Sequence, residues 1–266
     1  MQQKQKRTKK QNNASNNLAS DFHKMFNKKM LEISNKTGER PSQVFNDFCT
    51  AFHISIANAF YKKQEMENEY LATIKKYPKD CLNLLCEMGG VVIMALQEKH
   101  RDFLGEIYMA NDFGNDFAGQ FFTPYNLALM MAKMLMCMNE KPEPTINEPA
   151  CGSGVMIIAA HEVNPNIIAV CQDIDFLCFK MAYIQLSLLG VKAKIILGDS
   201  LALENKYELV TPALASAMVE SSKNPNDRII EYIRSLRSVE IIEEGKEEAQ
   251  EIVEYIRSLR SVEISA

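Results

Sequence analysis

The chain has 266 residues, of which 47% are hydrophobic, so it is long enough to bury the core of one large or two modest domains. No stretch approaches the ~18 consecutive apolar residues of a membrane span, and the N-terminus lacks the apolar centre of a signal peptide, so we expect a cytoplasmic protein without membrane contact. The net charge of −4 excludes a uniformly basic surface for nucleic acid.

Residues 1–19 form a basic segment that is predicted to be a disordered tail. Five cations and no acid occur in its first ten residues: Lys4, Lys6, Arg7, Lys9 and Lys10. Such a tail either keeps the protein in solution or touches phosphates, since any basic tail attracts polyanions. The seven cysteines are never spaced C-x-x-C, which predicts buried thiols and neither a disulfide framework nor a metal site.

Residues 20–110 are predicted to form an N-terminal α-helical domain. The first helix has one apolar face, made by Phe22, Phe26, Met30 and Ile33. Gly38 and Pro41 end it, and a second amphipathic run from residue 45 is expected to continue toward residue 74. A third, largely buried helix is predicted for residues 82–96, where Gly89 and Gly90 weaken it.

The histidines of this region do not indicate a catalytic site. His23, His53 and His100 have no companions at the spacing of metal ligands. We therefore interpret them as structural or solvent-facing.

Residues 111–222 are predicted to form a second domain, in which the pattern changes to alternating strands and helices after Pro142. Short apolar strands are predicted near 145–147, at 167–173 and at 194–199, and they alternate with helices that end near 162 and 189. This spacing predicts a parallel sheet covered by helices, with ligands at the carboxyl ends of its strands.

Residues 223–266 contain an exact internal repeat. The eleven residues Glu231–Ile241 recur unchanged as Glu254–Ile264. Each copy is predicted to form a short helix and a short strand. Two copies are too few for a solenoid, and we assign the tail no catalytic role.

Polar residues follow each predicted strand. Gly152 and Gly154 suit a loop that brings backbone N–H groups close to a ligand. Asp173 is placed to accept hydrogen bonds from ribose hydroxyls, and Asp199 to accept one from an exocyclic amine. Each feature alone is more typical of a turn or a helix cap, but their order predicts a site for a nucleoside-bearing cofactor. Neither the dinucleotide motif nor the ATP-binding glycine motif is present.

Two stretches resemble a known family. Residues 148–154, EPACGSG, resemble the first motif of adenine-specific DNA methyltransferases, especially the methylation subunits of type I restriction-modification systems. The usual motif begins with Asp where this chain has Glu148. Residues 102–108, DFLGEIY, and 119–124, GQFFTP, resemble the lead-in that these enzymes place before it. The resemblance covers roughly residues 102–201.

The resemblance implies a Rossmann-like methyltransferase sheet that binds S-adenosylmethionine (SAM), preceded by the helical domain. It implies that the segment after the lead-in helps enclose SAM, that the glycine loop holds the methionine part, and that the next two acids meet ribose and adenine. The enclosing segment would be Phe121, Phe122, Thr123 and Pro124, and the residues of the glycine loop would be Glu148, Ala150, Gly152 and Gly154. Asp173 would meet the ribose and Asp199 the adenine.

The lead-in also has a local physical interpretation. Thr123 is predicted to cap a helix and Pro124 to occupy its first position, which would hold Phe121 and Phe122 where they can cover an adenine face. The alternative is that Phe122 packs onto this helix as a hydrophobic staple. The methionines of the helix are expected to lie in the core.

The acceptor motif of the family, Asn/Asp-Pro-Pro-Tyr/Phe, is missing. Thr211 and Ala213 stand where the acceptor and second proline would be, and Asn224-Pro225 lacks the aromatic residue. No catalytic residue is therefore assigned. The sheet is either incomplete or closed by the repeated helix-strand units.

Two functions remain open. One is a SAM-dependent methyltransferase acting on the amino group of adenine in DNA, with sequence specificity either supplied by a partner subunit or absent. The other is an inactive methyltransferase-like module that binds SAM or serves as a regulatory or antirestriction subunit. Methylation of a small molecule or of a protein glutamine is less favoured because the lead-in points to DNA.

Overall fold

The computed structural model describes residues 21–113, 121–137 and 141–221. The predicted tails 1–19 and 223–266, including both copies of the repeat, lie outside the described residues. The helices are α1 (21–37), α2 (Pro41–Tyr61), α3 (Gln64–Ile74), α4 (Lys79–Glu98), α5 (Phe103–Ala110), α6 (Tyr125–Cys137), α7 (Val155–Val163), α8 (Phe176–Leu188) and α9 (Pro212–Ser221).

The N-terminal helices form where the apolar periodicity predicts them, with one correction. Phe26, Met30 and Ile33 are fully buried, as their shared face requires. The second helix does not continue toward residue 74, because Lys62 adopts a left-handed conformation with φ of 45° and ends α2. A new helix, α3, starts two residues later.

Helix α4 is continuous through its two glycines. A Cβ on Gly89 would lie 3.6 Å from the Phe52 ring, so the glycine allows ordinary close packing of α4 on α2. By length and composition α4 could cross a membrane, with a mean hydropathy of 1.3. It also buries Leu85, Met88 and Val92 in the core, as helices of globular domains do.

Four strands form one sheet: β1 (Thr145–Glu148), β2 (Ile168–Asp173), β3 (Lys192–Asp199) and β4 (Glu204–Val210). Their spatial order is β1-β2-β3-β4. The first three strands are parallel, as predicted, whereas β4 is antiparallel to β3. The sequence made no prediction for the direction of β4. The short connection from β3 permits only an antiparallel return beside it, since a parallel neighbour needs a long crossover.

The helical part packs directly on the sheet part through α8. The ammonium group of Lys180 in α8 is buried and donates to Asn46 Oδ1 (3.0 Å) and Thr50 Oγ1 (2.9 Å) of α2. The backbone N–H of Val210 donates to the Tyr61 hydroxyl at 2.8 Å. The buried apolar residues of both parts form one continuous core. The predicted fold class, an α/β Rossmann-like sheet preceded by helices, is confirmed, with four mixed strands among the described residues.

Two expectations about sulfur-containing residues are partly wrong. Helix α6 buries Ala128 and Ala132, while Met130, Met131 and Met134 are exposed. Five cysteines are buried thiols, but Cys86 and Cys137 are exposed. In α6 the small residues Ala128 and Ala132 face inward, and composition alone does not reveal which side of the helix packs.

Candidate functional site

The glycine loop connects β1 to α7 at the carboxyl edge of the sheet. Gly152 and Gly154 have φ values of +54° and +93°, in the left-handed region that favours glycine. The N–H of Gly154 donates to the Cys151 carbonyl at 2.8 Å, which closes a tight turn, and α7 begins at the next residue. Ala150 is exposed at the start of this turn. The loop therefore lies at a helix N-terminus, where backbone N–H groups meet ligands.

Asp173, at the end of β2, is bonded to this loop. Its Oδ2 accepts the Gly152 N–H at 2.7 Å and its Oδ1 accepts the Asp175 N–H at 2.9 Å. Burial raises the pKa of Asp173, and these two backbone bonds oppose the rise. Each carboxylate oxygen keeps a second lone pair, so the bonds leave acceptor capacity for hydroxyl groups.

Glu148 ends β1 beside Asp173. The side chain is partly buried, and burial together with the charge of Asp173 raises the pKa of Glu148. Two neighbouring carboxylates make this end of the site suitable for a cationic group.

Asp199 ends β3 at the same edge, next to β2. Its Oδ1 accepts from the N–H groups of Leu201 (2.8 Å) and Ala202 (3.1 Å) and so shapes the following turn. The structure thus gives Asp199 a turn-ordering role through Oδ1, and a carboxylate used in this way keeps further acceptor capacity.

Of the two predicted aromatic residues, Phe122 reaches the loop. Its ring stacks on Tyr108 of α5, with centroids 5.2 Å apart. A Cβ built on Gly152 would lie 3.1 Å from the Phe122 ring, so the ring lies against the loop. Phe121 is 83% exposed. The two side chains are therefore separated, and only Phe122 has a packing role.

The capping expected of the lead-in is shifted by one residue. Helix α6 begins at Tyr125, and the Pro124 carbonyl accepts the first helical bond, from Ala128 N–H at 3.1 Å. Pro124 is thus the N-cap, and Thr123 lies outside the helix. With Pro124 as the N-cap, the N′ position of a hydrophobic staple falls on Thr123 and no longer on Phe122.

Three buried polar residues were missed by sequence reasoning. Asp102, Ser153 and Gln185 lie next to one another behind the glycine loop and are at most 3% exposed. The signal available in the sequence was Asp102 as a helix N-cap, which the structure has: its side chain accepts the Gly105 N–H at 3.1 Å. The sequence carries no comparable signal for Gln185, which lies in a largely apolar stretch of α8.

Exposed apolar side chains border the same edge. Ile174 follows Asp173 and is 64% exposed, and Leu201 follows Asp199 and is 94% exposed. Single exposed apolar side chains are common on protein surfaces, but their position beside Asp173 and Asp199 makes these two candidates for contact with a ligand. Both residues lie just after predicted strands, but the sequence analysis does not select them.

The stretch that imitates the acceptor motif lies elsewhere. Because β4 is antiparallel, Val210 pairs with Lys194, near the start of β3, so Thr211 is at the opposite end of the sheet from the loop. Thr211 is fully buried; its hydroxyl donates to the Val191 carbonyl at 2.6 Å and accepts the Ala193 N–H at 3.0 Å. Its role is structural. Asn224-Pro225 lies outside the described residues.

The histidines have structural partners. His23 Nε2 lies 2.9 Å from Glu106 Oε2, and His53 is buried beside Phe179. His100 is not isolated, since its Nε2 lies 3.2 Å from Nδ1 of His161. Within residues 21–113, 121–137 and 141–221, no three His, Cys, Asp or Glu side chains are grouped to hold a metal ion.

A glycine loop after the first strand, with carboxylates after the second and third, is the site arrangement of Rossmann-like, nucleoside-binding α/β proteins. The family comparison is more specific: residues 99–221 match the family described as N-6 DNA methylase. This segment runs from the lead-in to the end of α9 and includes every predicted site residue. The resemblance predicted from the sequence is confirmed for it.

One curated relative is the type I restriction enzyme MjaVIII methylase subunit of Methanocaldococcus jannaschii, 33% identical over 121 residues. The alignment covers 42% of this chain and 20% of the relative, so the chain spans about a fifth of the relative's length.

Two solved structures are similar over most of the chain. A chain described as a class I S-adenosylmethionine-dependent methyltransferase, from Listeria monocytogenes, has 16% identity and a TM-score of 0.46, covering 71% of this chain and 55% of that one. The type I restriction-modification methyltransferase subunit of Streptococcus thermophilus has 14% identity and a TM-score of 0.38, covering 69% and 59%. With TM-scores below 0.5, neither likeness bears on the chemistry of this chain.

Proposed function

We propose that the carboxyl edge of the sheet binds SAM and that the chain methylates the exocyclic amino group of adenine in DNA. The observation that carries the proposal is the bond between Asp173 and the Gly152 N–H, which joins the ribose acid to the glycine loop at 2.7 Å. The match of residues 99–221 to the N-6 DNA methylases supports the same assignment.

The residues at this edge fit SAM. Glu148 would attract the ammonium of its methionine part, near the backbone of Gly152 and Gly154, and the acidic surroundings suit its positive sulfonium. Asp173 would accept from the ribose hydroxyls with its remaining lone pairs, and Asp199 Oδ2 from the adenine amine. A Cβ at Gly152 would crowd Phe122 at 3.1 Å, so glycine keeps this cradle open.

Apolar side chains would cover the adenine of SAM. Ile174 and Leu201 flank the space between Asp173 and Asp199 and are exposed, so a bound ring would remove apolar surface from water. We propose that Phe121, whose side chain is exposed in the lead-in, covers the ring as well. When bound, SAM supplies a methyl group activated by its sulfonium.

The acceptor side of the proposed reaction supports a second candidate. The described residues carry no Asn/Asp-Pro-Pro-Tyr/Phe element, and Thr211 is buried at the far end of the sheet. An adenine amine is a poor nucleophile, and base-modifying enzymes hold it in a dedicated pocket. The second candidate is therefore an inactive SAM-binding or antirestriction subunit.

The proposed partners follow from the proposed reaction. We propose DNA as the substrate and a specificity subunit as the partner that selects the target sequence, in keeping with the curated relative, a methylase subunit of a type I restriction enzyme. Both imply a cytosolic location.

The test is label transfer. The purified chain is incubated with SAM carrying a radiolabelled methyl group and with unmethylated DNA, with and without a cognate specificity subunit, and label in DNA is counted. Incorporation that disappears in Asp199→Ala supports the enzyme and excludes the inactive subunit. Tight SAM binding without transfer under either condition excludes the enzyme and supports the second candidate.

A further inference from the structure

A buried polar cluster joins three separate elements behind the glycine loop. Asp102 caps α5, Ser153 lies in the loop and Gln185 lies in α8; we call these three residues the loop anchor. The Ser153 hydroxyl donates to Asp102 Oδ2 at 2.5 Å, and Gln185 Nε2 donates to Asp102 Oδ1 at 2.8 Å. Gln185 Nε2 also donates to the Ser153 carbonyl at 2.9 Å.

The loop anchor has its hydrogen-bonding groups engaged on every side. Gln185 Oε1 accepts the Leu104 N–H at 3.0 Å, and Asp102 Oδ1 also accepts the Gly105 N–H at 3.1 Å. Fully satisfied buried networks hold one arrangement, because each broken bond leaves a desolvated polar group. The position of Ser153 is thus determined by α5 and α8 together.

The approach of α5 to the loop is close enough to require glycine. A Cβ on Gly105 would lie 2.1 Å from Asp102 Oδ2 and 2.5 Å from Ser153 Oγ. Any larger residue at position 105 would push Ser153 away from Asp102. A glycine is therefore needed at position 105 because the loop anchor packs against it, and not because the backbone makes a turn there.

We propose that Asp102 is a positioning residue for SAM binding, acting through Ser153; this inference rests on the proposed function. Ser153 lies between Gly152 and Gly154, so its hydrogen bonds to Asp102 and Gln185 fix the orientation of both left-handed glycines. Helix α5 supports the loop at a second point, because Tyr108 stacks on Phe122, which contacts Gly152. The helical part of the chain thus pre-organises the cofactor loop.

The experiment compares two disruptive variants of the full chain with a matched control. Asp102→Asn keeps size but places an NH₂ group among hydrogen-bond donors, and Ser153→Ala removes only the hydroxyl. The control is Asp47→Asn, at an equally buried carboxylate that accepts from Tyr77 OH at 2.9 Å, away from the loop. Each protein is titrated calorimetrically with SAM, and hydrogen exchange of the loop amides is measured without SAM.

Asp102→Asn and Ser153→Ala are expected to raise the Kd for SAM roughly tenfold or more and to speed exchange of the amides at 151–154. Asp47→Asn is expected to lower the melting temperature while leaving both readouts at their wild-type values. Wild-type affinity and wild-type loop exchange in the two anchor variants would overturn the inference.

The two proposals can fail separately. If the wild-type chain binds no SAM, the proposed function fails, and hydrogen exchange alone decides whether Asp102 orders the loop. If the wild-type chain binds SAM and Asp102→Asn binds it equally well, the positioning role fails while the proposed function stands.

Discussion

Replacing Gly152 by alanine separates a backbone cost from a cofactor-binding cost. At φ of +54° a residue with a Cβ is strained, and the left-handed conformation costs about 1–2 kcal/mol. In a chain of this size that loss corresponds to a fall in melting temperature of roughly 2–8 °C. The new Cβ would also lie 3.1 Å from the Phe122 ring, so the ring or the loop must move.

Gly38 provides the matched control. Its φ is +75°, and a Cβ there would meet nothing within 4 Å. Gly38→Ala therefore carries a similar backbone cost at the end of α1, away from the glycine loop.

The assay is thermal denaturation together with calorimetric titration by SAM. Both variants are expected to melt at lower temperature. Only Gly152→Ala is expected to weaken SAM binding, with the Kd rising about tenfold for each ~1.4 kcal/mol of binding free energy lost. Unchanged affinity in Gly152→Ala, or equal loss of affinity in Gly38→Ala, would refute the placement of the SAM site at this loop.

Three further predictions concern other positions. Asp173→Asn should raise the Kd for SAM, measured by calorimetric titration, roughly tenfold. The amide NH₂ would replace a carboxylate oxygen that accepts a backbone N–H, from Gly152 or Asp175. Thr211→Val should lower the free energy of unfolding by about 1–3 kcal/mol without changing SAM affinity, as measured by urea denaturation and titration. Burial lowers the pKa of His53 to about 4, so its contribution to stability is complete above pH ~6.5 and is lost as pH falls toward 4. Between pH 7 and pH 5 the wild-type chain should lose about 2 kcal/mol more than His53→Leu, measured by denaturation at both pH values; equal losses would contradict the assignment.

The elements around the site were predictable because they depend on local patterns. Three short apolar strands separated by helices require parallel pairing, and parallel pairing brings Gly152, Asp173 and Asp199 to one edge. The positive φ values at residues 152 and 154 were also predictable, because both are glycine, which adopts such values at little steric cost.

The parts that were not predicted depend on contacts between distant residues. The direction of β4 is decided by its short connection to β3 and by bonds such as Tyr61 to Val210, 149 residues apart. The loop anchor brings together residues 102, 153 and 185, and no periodicity in the sequence marks Gln185 as their partner. Helix α6 exposes its methionines because its small residues pack inward, which composition does not reveal.

The domain boundaries at 110 and 222 remain predictions. The boundary at 110 coincides with the end of α5, yet the loop anchor shows that α5 supports the glycine loop. The helical part is therefore a structural support of the site, wherever the boundary is drawn.

The most direct test of the central claim is a crystal structure of the chain with S-adenosylhomocysteine, the product form of the cofactor. We predict that its amino acid part lies against Gly152 and Gly154, its ribose hydroxyls within hydrogen-bonding distance of Asp173, and its adenine beside Ile174 and Asp199. Binding at another place on the molecule, or no binding at concentrations that saturate a SAM-dependent enzyme, would contradict the account.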